Sequence, residues 1–163
     1  MGVPIDNLRR GSQRRWSCLS NCQCPSDAAR ANLYWEKATA IHVFCEQGEF
    51  RGGERFARHW HDLTRLDRAG TVDAAIRDHS LVAAVAKHKS MFFSEKNAVG
   101  ELIDYVAAVS GGLRLVPGDK ALTNLSLDYE RMLEDGLLFD DAEPFEMLMN
   151  QCRALEARAN KPA

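Results

Sequence analysis

The chain has 163 residues, 45% of them hydrophobic and 27% charged. That balance fits one globular domain whose core buries roughly 70% of the unfolded surface. A formal net charge of −2 excludes overall charge as a drive onto nucleic acid or an anionic membrane, and no apolar run reaches the roughly 20 residues that span a bilayer.

In chain order, residues 1–27 show no sustained periodicity and predict an irregular leader. Arg9, Arg10, Arg14 and Arg15 crowd it without an apolar segment behind them, so it is not a secretory signal. Cys18, Cys22 and Cys24 lie close together, but C-x3-C-x-C matches no common zinc knuckle. Five cysteines, an odd number, predict reduced thiols in a cytoplasmic protein.

Residues 28–160 predict an all-α, or nearly all-α, lobe of about five to seven helices. Ser26-Asp27 are capping residues for a helix to about Gln47. Tyr34, Ala38, Ile41 and Cys45 form its apolar face, at i, i+4, i+7 and i+11. Gly48 and Gly52-Gly53 end it. A second helix is expected over Glu54–Arg68, with Phe56, Trp60 and Leu63 inward and Arg55, Arg58, His59, Asp62 and Arg65 on another face. Thr71 is expected to cap a short helix toward Arg77. Ser80 is expected to cap the next, whose inner face reads as Leu81, Val85, His88 and Phe92. Ile103–Val109 continue helically to Gly111-Gly112, and Leu113-Arg114-Leu115-Val116-Pro117 predicts a short extended segment. Asp119 opens a helix through Leu137, with Leu122, Leu125, Tyr129, Met132 and Leu133 inward. Asp140–Pro144 reads as a polar loop, and Phe145, Leu148, Met149, Cys152 and Leu155 mark a last helix.

Two charged residues stand out. Lys37 lies beside Tyr34-Trp35 at an apolar edge, where a lysine either snorkels to solvent or aims a compact charge at a phosphate. Glu36 then holds the helix or pairs with a second cation. Asp62 either joins a surface ladder with Arg55, Arg58, His59 and Arg65, worth a few tenths of a kcal/mol per pair, or orients a cation in a basic pocket. His59 and His61 point about 200° apart on a helix and cannot clasp one metal together, so core or capping roles suit the histidines. Neither glycine pair sits in a phosphate-binding loop, and Asp140-Asp141-x-Glu143 lacks calcium-loop spacing. No metal site is assigned.

Several strings then occur in a characteristic order: Trp35-Glu36-Lys37-Ala38 with His42, Arg58-His59-Trp60-His61-Asp62-Leu63, and His88-Lys89 with Phe92-Phe93. Leu113–Pro117, Asp128–Met132, Pro144-Phe145 and Leu155–Asn160 follow. Over Asn32–Asn160 the chain resembles the C-terminal helical portion of the AbiEii/AbiGii-type nucleotidyltransferase toxins of abortive-infection and type IV toxin–antitoxin systems. The resemblance implies transfer of a nucleotide from an NTP, with Mg2+, to RNA, tRNA being the expected acceptor, and a cognate antitoxin as partner. It makes Lys37 and Asp62 the matching catalytic lysine and aspartate, and Lys37, Arg58 and His59 the nucleotide-binding candidates. Two features depart from the pattern. Asn32 and Leu33 stand where the family often has arginine and threonine. No Asp-x-Asp follows Gly11-Ser12, so the paired metal-binding aspartates of the family's N-terminal lobe are not found. The expectation is a truncated AbiEii-like toxin that is weak or inactive alone; the alternative is a helical interaction module that binds an antitoxin or a separate catalytic half.

Overall fold

A computed structural model of the chain describes residues 26–48, 55–138 and 142–161. Among these residues the protein is all-α, as its periodicity predicts. Seven α-helices run α1 Asp27–Gln47, α2 Arg58–Arg68, α3 Val72–Arg77, α4 His79–Phe92, α5 Tyr105–Ala107, α6 Asp119–Glu134 and α7 Phe145–Ala159. A π-helical turn, Ala108–Gly112, continues α5, and Lys96 forms an isolated antiparallel bridge with Leu102. The three leader cysteines, Gly11-Ser12, Gly52-Gly53 and Asp140-Asp141 lie outside the described residues. No described helix is long and apolar enough to cross a membrane.

The central element is α1. The Ser26 hydroxyl accepts the Ala29 N–H at 3.3 Å, and Gly48 ends the helix at φ 64°, a left-handed conformation that glycine adopts without Cβ strain. Tyr34, Ala38, Ile41 and Cys45 are buried as expected, but so are Trp35, Thr39 and His42. More than one side is covered because α2, α3 and α4 all pack on α1.

Helix α2 starts at Arg58, later than the expected Glu54, and has no side-chain cap of its own. Its lead-in is held from α6. The buried Asp128 carboxylate accepts the Arg55 N–H at 2.9 Å and the Ala57 N–H at 2.8 Å, with Arg55 at φ 76°. The Trp60 indole N–H donates to the Leu115 carbonyl at 2.8 Å.

The segment at 113–116 is extended without a sheet. Side chains take the place of a neighbouring strand, since buried backbone groups need partners. The Asn160 amide accepts the Leu113 N–H and donates to the Leu113 carbonyl, at 2.9 and 2.8 Å. His42 Nδ1 accepts the Arg114 N–H at 3.1 Å. Glu156 accepts the Leu115 and Val116 N–H groups at 2.5 and 3.3 Å.

Several expectations are corrected. The inner face of α4 is Val82, Val85, Ala86 and Lys89, while His88 and Phe92 are exposed. The cap of α4 is Asp78, whose carboxylate accepts the Leu81 N–H at 3.0 Å; Ser80 only donates its hydroxyl to Asp78. Thr71 makes no side-chain cap for α3. Leu133 is largely exposed, and the helix at Ile103–Val109 shortens to α5 plus the π-turn. Glu143, expected in a polar loop, is buried. It accepts from Arg68 and, at 2.5 Å, from Gln151, while its carbonyl accepts the Tyr129 hydroxyl at 2.6 Å.

Candidate functional site

The contact between α1 and α2 brings Lys37, Asp62 and His59 together. Lys37 Nζ donates to Asp62 Oδ2 at 2.6 Å and lies 3.5 Å from His59 Nδ1. The Lys37 side chain is only 18% exposed, against 43% for Asp62. The lysine therefore turns inward along the protein rather than out to solvent, and Asp62 pairs with it across the interface.

His59 is held neutral. Burial first, then the Lys37 and Arg58 charges, push its imidazole down to about 4, against an opposing pull from Asp62. An ammonium group has no acceptor, so a hydrogen bond across this 3.5 Å gap requires the tautomer with its proton on Nε2. Asp62 engages one of the three Lys37 donors, and His59 stands at the outer limit of a second. The third has no partner among the described residues and is available to an incoming acceptor.

A second ion pair flanks the first. Glu36 accepts from Lys89 Nζ at 2.5 Å, the second cation that the sequence allowed for. Lys89 is buried and also stands 4.4 Å from the centroid of the Phe93 ring, an attraction worth roughly 0.5–2 kcal/mol. The sequence reading missed Lys89 as a structural residue. Its signal was its spacing: Lys89 continues the Val82–Val85–Ala86 stripe of α4.

Arg58 is placed differently from the other candidates. It is exposed and lines a cavity of about 220 Å³ with Arg55, His61 and Asp62. Asp62 thus has the lysine on one side and an arginine-lined cleft on the other. His61 is buried on that far side, and His42 is committed to the extended segment; burial pushes its imidazole below the ordinary range.

Magnesium requires several oxygen ligands in near-octahedral geometry. Among the described residues, no group of three or more His, Cys, Asp or Glu side chains converges to hold a metal. Asp62 already has one oxygen on the Lys37 ammonium. These residues do not fit a magnesium site. What they can do is present a positioned, partly desolvated positive charge beside a neutral imidazole.

Compared with known proteins, residues 28–151 match the family model for the AbiEii nucleotidyl transferase toxin of type IV toxin–antitoxin systems. The match contains Lys37, His59, Asp62 and Asp128. No curated protein and no solved structure matches the chain.

Proposed function

The chain belongs to the AbiEii family of type IV toxin–antitoxin nucleotidyl transferases, and from that premise we propose that its helical lobe, within 28–160, supplies the phosphate-facing wall of a nucleotidyl transfer site. The observation that carries this is the inward-held Lys37 ammonium, 2.6 Å from Asp62 with a donor to spare. In nucleotidyl transfer an acceptor oxygen attacks the α-phosphorus of an NTP and pyrophosphate leaves. Negative charge grows on the phosphate oxygens, and a positioned donor in a poorly hydrated site stabilises it. Lys37 makes that contact, Asp62 positions Lys37, and His59 keeps a neutral neighbour there. Arg58 reaches the nucleotide from the exposed side. The acceptor is RNA, with tRNA as the expected class, and the setting is the cytoplasm.

The sequence contains no Asp-x-Asp pair to hold the metal, so on this proposal the chain by itself transfers nucleotide weakly or not at all. Incubation with labelled NTPs, magnesium and tRNA tests this. Little or no label on the RNA is expected. Strong label transfer that survives Asp62→Ala would contradict it.

A second function, as a helical module that binds an antitoxin or a separate catalytic half, is favoured by exposed apolar side chains. Met91, Phe92, Val99, Leu102 and Val106 are each more than half exposed, apolar area that a partner would remove from water. Co-purification with the protein encoded beside it, before and after Phe92→Asp, checks this: the substitution should release the partner, and an unchanged complex would remove the surface from consideration.

A further inference from the structure

A cavity lies away from the Lys37 ammonium, between α3, α4, the π-turn and the end of α7. It holds about 580 Å³, within the range of about 300–1,000 Å³ typical of small-molecule sites. Its walls are mainly aliphatic, with Ile76, Val82, Ala86, Val106 and Val109 among them, and Trp35 joins them from α1. Its charged lining has one sign. Arg77, Lys87, Arg158 and Lys161 border it, and no acidic side chain does. Arg158 is paired with Asp67 and Asp73. Arg77, Lys87 and Lys161 have no ion-pair partner among the described residues.

One further observation points to an occupant. The Arg158 Nε–H is buried without a hydrogen-bond partner among the described residues, a state that costs roughly 1–3 kcal/mol unless something accepts from it. One wall is the turn at Ala108–Gly112, where Ser110 and Gly111 leave helical geometry. There Gly111 sits at φ 114°, a conformation open to glycine and strained for other residues.

We infer that this cavity binds a small amphiphilic anion, with an apolar body against Val82, Ala86 and Val109 and a single carboxylate or phosphate head at the Arg77–Lys87–Lys161 rim. His79, Ser110 and Trp35 carry the other polar side-chain atoms of the lining, and the Trp35 indole N–H is already taken by the Ala75 carbonyl. The cavity is independent of the phosphate contact proposed for Lys37, so either assignment can fail alone.

Titration of the full chain with octanoate, octyl phosphate, 1-octanol and inorganic phosphate tests the inference, followed by calorimetry. Both amphiphilic anions should bind at one saturable site. Octanol and inorganic phosphate, which each lack one half of the required chemistry, should bind at least about tenfold more weakly. The tighter of the two anions identifies the head group. Arg77 and Lys87 are exposed, so Arg77→Glu and Lys87→Glu should keep the fold, and each should weaken both anions about tenfold or more. Ala83→Phe, an exposed lining position that fills the cavity, should weaken them without any change of charge. Octanol binding as tightly as octanoate, anion binding that ignores the charge reversals, or no binding of either amphiphilic anion would each overturn the assignment.

Discussion

At the residue scale, the informative contrast is between Lys37 and His59. The sequence left Lys37 open between solvent and phosphate, because an edge position on a helix permits both. It could not show that Asp62, twenty-five residues on, would receive the ammonium at 2.6 Å, since that depends on how α2 crosses α1. His59 gives a pH signature with a definite sign. Its imidazole stays neutral down to about 4 in the folded chain, against an ordinary 6.5. Between those values the unfolded chain binds more protons, so stability falls as pH drops from about 6.5 to about 4. His42, also depressed, adds in the same direction. Urea unfolding across this window should therefore show a shallower pH slope for His59→Gln than for the unsubstituted chain; identical slopes would mean that His59 is not held neutral by its site.

At the scale of elements, capping and spacing signals were read well where local chemistry decides them. Ser26 caps α1, Gly48 ends it, and the extended segment falls where the Leu113–Val116 pattern put it. They failed where a distant side chain decides. The start of α2 is set by Asp128, seventy-one residues from Ala57, and no local pattern announces such a cap. The face of α4 was misjudged because a buried lysine, Lys89, replaces an apolar residue in its stripe, while Phe92 and Met91 point outward. Asp128→Ala removes two backbone hydrogen bonds from a buried site and leaves the Arg55 and Ala57 donors unsatisfied. It should cost about 2–4 kcal/mol, read as a lower urea midpoint with little change in slope. A loss below about 0.5 kcal/mol would show that the α2 lead-in does not depend on α6.

At the scale of the molecule, class and core were legible because periodicity and burial share one cause, the removal of apolar faces from water. The strings that carry the family resemblance divide into two groups once placed in space. His42, Asp128, Glu156 and Asn160 are structural: they satisfy the backbone of the extended segment and of the α2 lead-in. Lys37, His59 and Asp62 hold no backbone group in place and meet at one surface, which is why they carry the functional proposal. That difference predicts a separation of stability from binding. The Lys37–Asp62 pair is partly exposed, so its loss should change stability by no more than about 1 kcal/mol. Equilibrium titration of NTPs into the unsubstituted chain, Lys37→Met and Asp62→Asn, with urea unfolding of each in parallel, tests the phosphate contact most directly. Lys37→Met should weaken NTP binding at least about tenfold, Asp62→Asn should weaken it less, and both should unfold near the unsubstituted midpoint. NTP affinity unchanged by Lys37→Met, or absent from the unsubstituted chain, would contradict Lys37 as the phosphate contact.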